Sequence, residues 1–598
     1  MNSRLVNKHK NQDIFLVTSS IQKTWPTKNK IIFLGEWCLI FNQKKYWENL
    51  KYKVQTYHWD DRKKLNKDYH YLKEINEELL ELLSMELNAI HGVNKSLRYW
   101  RILIGPWLLS FVQVLFDRWS MLNQALSENN IDRCMVLDNH LFDLVPENMA
   151  DFAEQSNSDE WNESIYSELL KVFFKDKINI DLVEVNKKKI LVDKNPTKAI
   201  KPTIKNIILK KIVALSRNFY SDNEYFFIDS LLSRKFELFL QLKLFQFPKI
   251  WGFEDNFIET TTLDMDKRNF CLIFRNKSDD FCEVLKYFIP KHLPKVYLES
   301  YKLYLNQSLR NSWPKKPKAI ITGSVFKSDL NRFWIAEKTE EGIPLVVRQH
   351  GGAYGVCAFS SIEDHEHAIA DIWLSWGWSN LKKNHIVPAG HFKYKKKKLK
   401  FNPQGNALVV GFSMVRQSYS VVSYPIAGQW SYYFNDQACF VSSLPQKLRD
   451  QLLIRVRSYD YGQCQFERWR ELFPKIKIDS GESQMERLME GCRIYIATYN
   501  ATSFLEALNW NIPTIIFWNP KYNELNERSK VDFELLKSVG IFHETPESAA
   551  KQLLEVWDNI PIWWNDDSLQ NVRENFCNNY VKSHAKPIEE VKKLLKKY

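Results

Sequence analysis

A histidine followed by two glycines comes directly after an apolar run in the segment GIPLVVRQHGGAYG. The apolar run predicts a strand, so His350 projects from the end of that strand. Gly351 and Gly352 suit a backbone that approaches a ligand closely or takes a positive φ, because neither residue carries a Cβ atom. A neutral imidazole there positions a hydroxyl, and a protonated one offsets phosphate charge. We expect His350 to be catalytic and both glycines to line a ligand site; a structural histidine is the alternative.

A second strand end, in RIYIATYNATSFLEALNWN, delivers polar groups to the start of a helix. Asn500, Thr502 and Ser503, together with the free backbone amides of the first helical turn, could hold a phosphate group. Glu506 lies one turn later, where its carboxylate could accept hydrogen bonds from a ribose diol. The alternative is a capping box, in which Ser503 and Glu506 only satisfy backbone donors.

Two arginines alternate with apolar residues in the run LLIRVRSYDYG. Arg455 and Arg457 therefore point to the same face of one strand, near its end. Guanidinium groups make bidentate contacts with phosphate or carboxylate, so we expect both arginines to bind an anionic donor. An ordinary surface ion pair is the alternative.

Carboxylates follow two apolar runs near the N-terminus, in LGEWC and YHWDDR. A transfer reaction needs a base to deprotonate the acceptor hydroxyl, and a partly desolvated Asp or Glu can do this. Glu36, Asp60 and Asp61 are therefore candidate catalytic residues beside His350. Each could instead cap a helix, and Asp60 or Asp61 could simply begin the next segment.

Strand and helix patterns alternate along the parts of the chain that carry most of these motifs. Residues 318–392 read as strand, helix and further short strands, and residues 406–517 repeat the alternation. Such alternation predicts parallel, doubly wound sheets. We expect an α/β fold of two Rossmann-like lobes that face a cleft, with ligands bound at the carboxyl ends of the strands. The predicted domains are an N-terminal lobe (1–392) with a helical elaboration (about 150–310), a basic linker (393–405), a C-terminal lobe (406–560) and a helical segment that packs back on both lobes (561–598).

Length, composition and charge limit the class of protein. The chain has 598 residues, of which 44% are hydrophobic, enough for more than one folded core. Its formal net charge of +13 is consistent with anionic partners, but the basic residues are dispersed. The nine cysteines form no C-x-x-C pair, which fits a reducing cytosol. No secretory signal is expected, and the apolar run at 102–116 is too short for a membrane span, so it predicts a buried helix, with peripheral membrane contact as the alternative.

Six segments in order resemble a family of bacterial transferases linked to O-antigen and other surface polysaccharides: FLGEWC, YHWDDR, SLRYWRILIGPWL, DRW, RQHGGAYG and YNATSFLEALNWNIPTIIFWNP. The last segment is also similar to the donor lobe of two-lobed (GT-B) glycosyltransferases. The resemblance implies a nucleotide-sugar donor in the C-terminal lobe and a glycan or lipid-linked acceptor in the N-terminal lobe. It also implies that Thr502, Ser503 and Glu506 hold the donor and that His350 faces the reaction centre. Asn511 stands where many donor lobes carry glycine, and asparagine tolerates the left-handed conformation needed there.

The sequence therefore predicts a glycosyltransferase-like, GT-B-like enzyme that moves a sugar from a nucleotide-sugar to a surface-polysaccharide or lipid-linked acceptor. No D-x-D stands in a context suited to a metal-bound diphosphate, so we expect metal-independent chemistry, with the nucleotide-sugar as co-substrate and no cofactor. We expect a cytoplasmic protein with peripheral contact at the inner membrane and no nucleic-acid partner. The alternatives are a polyol-phosphate transferase, a sugar-nucleotide epimerase and a non-enzymatic scaffold that binds polyanions or membranes.

Overall fold

Short parallel strands form three separate sheets in the computed structural model of this chain. The structure describes residues 13–27, 29–138, 144–184, 222–249, 261–310, 313–326, 328–392 and 401–596. The strands are β1 (Ile14–Val17), β2 (Lys30–Phe33), β3 (Tyr52–Val54), β4 (Arg133–Leu137), β5 (Asn179–Val183), β6 (Tyr225–Phe227), β7 (Ala319–Thr322), β8 (Leu345–Arg348), β9 (Ile372–Ser375), β10 (Ile386–Pro388), β11 (Ala407–Val410), β12 (Leu452–Arg455), β13 (Lys477–Asp479), β14 (Ile494–Ala497), β15 (Thr514–Phe517) and β16 (Phe542–His543).

Helices connect these strands and cover the sheets. They are α1 (Lys44–Trp47), α2 (Arg62–His91), α3 (Leu97–Glu128), α4 (Met149–Gln155), α5 (Asp159–Phe173), α6 (Arg234–Lys243), α7 (Asp280–His292), α8 (Tyr301–Arg310), α9 (Asp329–Glu340), α10 (Ser361–Ile369), α11 (Trp430–Ser442), α12 (Gln446–Arg449), α13 (Gln465–Leu472), α14 (Met485–Gly491), α15 (Thr502–Asn509), α16 (Glu527–Ser538), α17 (Pro546–Val556), α18 (Ile560–Trp564), α19 (Asp567–Tyr580) and α20 (Pro587–Leu595).

The first sheet has the strand order β3-β2-β1-β4-β5, the middle sheet β10-β9-β8-β7-β6 and the C-terminal sheet β13-β12-β11-β14-β15-β16. Every pair of neighbouring strands is parallel. In the first and C-terminal sheets the strand order reverses beside the first strand of the sheet, which is where ligands bind in such folds. The predicted α/β class is confirmed. The predicted lobe at 1–392 contains two sheets, because β6 to β10 pair among themselves and not with β1 to β5.

The segment at about 150–310, predicted as a helical elaboration, contributes strands as well as helices. β5 completes the first sheet, and β6 is the edge strand of the middle sheet. Residues 185–221 and 250–260 of this segment, and residues 393–400 of the basic linker, lie outside the described residues. The domain boundaries stay a prediction.

Two long helices link the first sheet to the rest of the fold. The leucines of α2 at helical spacing, such as Leu79 and Leu83, are fully buried, and Gly92 ends the helix with a φ of 66°. α3 packs against α2, α9 and α10. By length and composition α3 could cross a membrane, but 89% of its most apolar window is buried inside the fold. The buried helix predicted at 102–116 is therefore part of a core helix.

The C-terminal helices contact two of the three sheets. α19 packs against α15 and α16 beside the C-terminal sheet. The backbone of Lys582 then bonds to that of Trp376 and His391 at 2.8 and 2.7 Å, next to the middle sheet. Ile588 and Val591 of α20 join a small apolar cluster on the outer face of the middle sheet. The C-terminal segment thus ties the middle and C-terminal sheets together.

Candidate active site

Two cavities lie between the middle and C-terminal sheets. The first, the aromatic cavity, has a volume of about 510 Å³ and lies at the switch point between β11 and β14. Its lining includes Ser110, Val114, His350, Phe412, Tyr419, Tyr424, Arg457, Tyr461, Tyr499, Asn500 and Ala501. The second, the arginine cavity, has a volume of about 370 Å³, and its lining includes Leu231, Ser233, Arg348, His350, Trp376, His391, Phe392, Glu486, Thr502 and Glu506. Among the described residues, His350 alone lines both cavities.

The loop after β8 and the loop after β14 touch each other between the two cavities. The amide of Gly352 donates to the Thr502 hydroxyl at 3.1 Å, and the Asn500 side-chain amide donates to the Cys357 sulfur at 3.5 Å. A Cβ atom on Gly352 would lie 2.8 Å from backbone atoms of Ala501 and Thr502. The absence of a Cβ atom at Gly352 thus permits the close approach of the two backbones, whereas Gly351 lies farther from the second loop. Neither Gly351 nor Gly352 has a positive φ.

A buried glutamine fixes the shape of the loop that carries His350. The Gln349 side-chain amide donates to the Gly351 carbonyl at 2.8 Å, and its oxygen accepts from the Trp376 amide and the Trp378 indole at 2.9 and 3.0 Å. These bonds attach the loop to the end of β9. Because Gln349, Trp376 and Trp378 are buried, His350 is held on a rigid support.

A glutamate that the sequence analysis did not single out lies behind His350. His350 Nδ1 is 3.5 Å from Glu366 Oε1 on α10, and Glu366 is fully buried. Burial raises the pKa of Glu366 well above its ordinary value. A cation beside a buried carboxyl favours the ionised form, so ionisation of Glu366 and protonation of His350 favour each other. The other ring nitrogen, Nε2, lies 3.3 Å from the Tyr354 hydroxyl.

Arg348, at the end of β8, is a buried cation that no carboxylate of the described residues neutralises. It donates to the Ser230 carbonyl at 2.8 Å, while its Nε has no hydrogen-bond partner, and no Asp or Glu among the described residues lies within ion-pair distance. Its guanidinium lies 5.2 Å from the centre of the Phe392 ring. Burial lowers the pKa of Arg348 to about 10, so the group still carries its charge at neutral pH. Such a group is suited to an anion in the arginine cavity.

The helix that follows β14, α15, does not begin with the capping box that Ser503 and Glu506 could have formed. Ala501 is the N-cap residue of α15, with no side-chain cap. Ser503 lies inside the first turn, and its hydroxyl accepts from the Tyr495 hydroxyl at 2.8 Å. Glu506 is buried and lines the arginine cavity, with its Oε1 3.8 Å from His391 Nε2. Ser503 and Glu506 thus form no capping box, and Glu506 faces the cleft.

The two arginines predicted to bind the donor, Arg455 and Arg457, have different surroundings. Arg455 is paired with Asp479 on the neighbouring strand β13 and donates to the Gly481 carbonyl at 2.8 Å, so its guanidinium is already engaged. It lines neither cavity of the cleft. Arg457 is exposed, lines the aromatic cavity and lies 5.8 Å from the centre of the Tyr461 ring. The ion-pair alternative therefore describes Arg455 and not Arg457.

The three predicted carboxylates lie outside the cleft cavities. Asp61 is the N-cap residue of α2 and accepts from the amides of Lys63 and Lys64 at 2.9 and 3.1 Å, so the capping alternative describes it. Asp60 accepts from the Gln429 side-chain amide at 2.9 Å. Glu36 is exposed, and neither it nor Asp60 lines the cavities. These residues follow β2 and β3 of the first sheet, and none of them lines a cavity that contains His350.

One group of side chains in the described part of the chain could surround a metal ion: Asp460, Cys464 and Glu467. The Asp460 carboxylate already accepts from the amides of Gly462 and Gln465 at 2.8 and 3.2 Å. It thereby shapes the turn that begins α13. None of the three residues lines the aromatic or the arginine cavity.

Arg348 and Glu366 are site residues that the sequence did not predict, although each has a signal in the sequence. Arg348 is a charged residue inside the apolar run PLVVRQH, where a buried cation needs a reason. Glu366 lies in EDHEHA, a charged helical segment in which His365, Glu366 and His367 are all buried. Arg348 and Glu366 differ from ordinary charged surface residues because they are buried. That burial cannot be inferred from either sequence segment alone.

The model of one protein family, described as LIC12162 family transferase, matches residues 14–595. No curated protein matches the chain. The solved structures that are similar to half of it include the following three. They are a co-structure of S. aureus MnaA with UDP (12% identity, TM-score 0.33, covering 50% of this chain and 81% of that chain), WaaG, a glycosyltransferase involved in lipopolysaccharide biosynthesis (13%, 0.28, 50% and 95%), and a UDP-forming α,α-trehalose-phosphate synthase from Burkholderia vietnamiensis (10%, 0.29, 50% and 76%). TM-scores this low carry no argument, and the fold class rests on the three parallel sheets.

Proposed function

We propose that this chain, which belongs to the LIC12162 family of transferases, transfers a sugar from a nucleotide-sugar to a hydroxyl of a glycan or lipid-linked acceptor. The observation that carries the proposal is the position of His350. It lies where two cavities meet at the carboxyl ends of parallel strands, with a buried carboxyl behind it. A group-transfer reaction needs two substrates to meet at one base, and two cavities that share His350 support this arrangement.

The arginine cavity suits the nucleotide-sugar donor. Arg348 supplies a buried positive charge that has no carboxylate partner among the described residues, which favours the diphosphate. Glu506 offers a carboxylate that can accept from ribose hydroxyls. The start of α15, at Thr502, also lies at this cavity, although the Thr502 hydroxyl already accepts from Gly352. The donor assignment therefore depends on Arg348 and Glu506 more than on the hydroxyls of the turn.

The aromatic cavity suits the acceptor. Its tyrosines and Phe412 offer flat apolar surfaces of the kind that sugar rings and lipid chains contact. The side-chain oxygen of Asn500 is buried at this cavity and has no hydrogen-bond partner in the described part of the chain, so it could accept from an acceptor hydroxyl. A surface-polysaccharide or O-antigen precursor is the acceptor class that we propose.

The chemistry that we propose is a displacement at the sugar. His350 takes the proton of the acceptor hydroxyl, and Glu366 stabilises the imidazolium that forms. The acceptor oxygen forms the new glycosidic bond while the bond to the diphosphate breaks, and Arg348 offsets the charge of the departing nucleotide. The reaction so written uses no metal and no cofactor.

A surface beside the arginine cavity supports peripheral contact with the inner membrane from the cytoplasmic side. Phe239, Leu242 and Phe245 of and after α6 are each more than half exposed, with Phe245 at 85%. Lys592 and Lys596 lie 5.0 and 5.8 Å from the centre of the Phe245 ring. Exposed apolar residues flanked by lysines match an anionic bilayer.

Sedimentation with phosphatidylglycerol vesicles tests the membrane contact. Phe245→Ser should reduce binding, because it removes the most exposed ring of the surface. Leu381→Ser is the matched control, since Leu381 is 96% exposed and lies on another part of the chain. Equal binding of wild type and Phe245→Ser would contradict the membrane proposal.

A panel of UDP-, GDP-, dTDP- and CMP-sugars tests the transfer reaction. Thermal shift identifies the donor, because a ligand that binds only the folded state raises the melting temperature. Product analysis with that donor then separates the alternatives. Glycosyl transfer releases a nucleotide and forms a glycosidic bond, polyol-phosphate transfer releases CMP and forms a phosphodiester, and epimerisation releases no nucleotide.

The substitution His350→Ala tests the role of His350 in the reaction. It should lower the rate of transfer about 100-fold or more. His70→Ala, at an exposed position on α2, is the matched control, and equal rates for the two variants would remove His350 from the site.

A further inference from the structure

A third cavity, of about 380 Å³, lies outside the cleft, between α2, α3 and α10. We call it the histidine cavity; its lining includes Tyr69, Leu72, Lys73, Asn76, Glu77, Arg101, Leu109, Gln113, Ser361, Asp364, His365, His367, Ala368, Lys383 and His385. It shares no residue with the aromatic or the arginine cavity. Glu366 and His365 are neighbours on α10, so this helix contributes to the cleft and to the histidine cavity.

Several polar atoms at this cavity are buried and have no hydrogen-bond partner within the described ranges. Asn76, His365 and His367 are each more than nine-tenths buried. Asn76 Oδ1 and the Nε2 atoms of His365, His367 and His385 have no hydrogen-bond partner among the described residues. A buried polar atom without a partner is costly, and four of them around one cavity point to a ligand that supplies the missing bonds.

The ring of His367 has an assignable proton. The ammonium of Lys383 lies 3.2 Å from His367 Nδ1, and because an ammonium can only donate, Nδ1 accepts. The neutral ring then carries its proton on Nε2, which is a donor. Asn76 Oδ1 can only accept. The cavity therefore offers both donors and acceptors, as hydroxyl groups require.

The charges around the histidine cavity are already paired. The ammonium of Lys73 lies 2.8 Å from Asp364, and Arg101 donates to both oxygens of Glu77 at 2.5 and 2.6 Å. Burial lowers the pKa of His365 to about 3, so this ring is neutral at physiological pH. A strongly charged ligand would have to compete with these ion pairs, whereas a neutral one would not.

We propose that the histidine cavity binds a neutral, hydroxyl-rich ligand of the size of a mono- or disaccharide. Hydroxyl groups both donate and accept, and they match the unpartnered atoms without disturbing the ion pairs. The volume is in the range of small-ligand sites. The proposal does not depend on the transfer reaction, because no residue of the catalytic cleft lines the histidine cavity.

Saturation-transfer NMR and calorimetry with a panel of neutral sugars test this proposal on the full chain. The probes are glucose, galactose, mannose, rhamnose, N-acetylglucosamine and their disaccharides, with inorganic phosphate and zinc chloride as separate arms. At least one sugar should bind. Asn76→Leu should weaken its affinity about tenfold or more, because it removes an acceptor that the ligand needs.

Ala368→Trp is the second variant, because Ala368 is exposed at the cavity lining and an indole there blocks entry without emptying the core. It should abolish sugar binding, while Ala585→Trp, at an exposed position that lines none of the three cavities, should not. His350→Ala should leave sugar binding unchanged, which separates this site from the catalytic cleft. The proposal is overturned if no sugar binds, if Ala368→Trp leaves sugar binding intact, or if phosphate or zinc binds there in place of sugars.

Discussion

The substitution Gly352→Ala tests whether the contact between two loops shapes the proposed catalytic cleft. The new Cβ atom would lie 2.8 Å from the carbonyl carbon and oxygen of Ala501 and from the amide nitrogen of Thr502. These are backbone atoms, so no side-chain rotation relieves the clash. Ordinary contact begins at 3.4 Å, and the two backbones must therefore separate by about 0.6 Å.

That separation sets the expected magnitude. Overpacking of this kind lowers the free energy of unfolding by about 1–3 kcal/mol. The same movement shifts His350 relative to the start of α15, and displacement of a reacting group by about 1 Å costs about 100-fold in rate. A movement of about 0.6 Å should therefore lower the rate of transfer by roughly 10- to 100-fold.

The assay compares initial rates of transfer, and unfolding in urea, for Gly352→Ala and Gly351→Ala. Gly351 is the matched control, because a Cβ atom there would come no closer than 3.9 Å, to the ring of Tyr354, and its φ lies outside the left-handed region. We expect Gly351→Ala to retain activity and stability. Equal behaviour of the two variants would refute the reasoning, since only Gly352 lies against the second loop.

Three further predictions follow from single contacts. Asp61→Ala should lower the free energy of unfolding in urea by about 0.5–2 kcal/mol with unchanged transfer, because Asp61 caps α2; lost activity at unchanged stability would instead make it a base. Arg348→Gln should abolish the thermal shift caused by the donor, whereas Arg455→Gln should retain it; equal shifts would contradict the assignment of the arginine cavity. Burial raises the pKa of Glu363 from about 4.5 to about 8. The folded chain then keeps a proton that the unfolded chain releases, so the free energy of unfolding falls as pH rises through this window, and less so in Glu363→Gln; identical pH profiles would rule this out.

The alternation of strands and helices predicted the two sheets that form the cleft, but not the existence of a third. The segments of β2 and β4, Lys30–Phe33 and Arg133–Leu137, are largely apolar, as is typical of single buried strands. Which strands pair is decided by contacts far apart in sequence: β1 pairs with β4 across more than a hundred residues. No local pattern records such a pairing, so the first sheet was assigned to the lobe of the middle sheet.

The same distinction applies to the candidate site. His350, Gly352, Asn500 and Thr502 meet because each follows a strand end, and the ends of parallel strands lie on one edge of a sheet. Glu36, Asp60 and Asp61 also follow strands, but those strands belong to the first sheet. The rule that ligands bind at strand ends does not say which sheets share a cleft. Strand ends identify candidates, and only the arrangement of the sheets selects among them.

The middle and C-terminal sheets do not enclose the cleft by themselves, because α3, which is connected to the first sheet, forms part of its wall. α3 lies in the chain between β3 and β4 of that sheet. Its residues Ser110 and Val114 line the aromatic cavity, while Leu109 and Gln113 line the histidine cavity. The Gln113 side-chain oxygen accepts from the Val421 amide at 2.6 Å, which attaches α3 to the C-terminal part of the chain. An α-helix with apolar residues on all sides must be covered on all sides, and here three parts of the fold cover α3. One wall of the aromatic cavity is therefore supplied by α3, which is connected to the first sheet. In the proposed reaction, acceptor recognition depends on α3 even though Arg348 and His350 belong to the middle sheet and the loop that follows it.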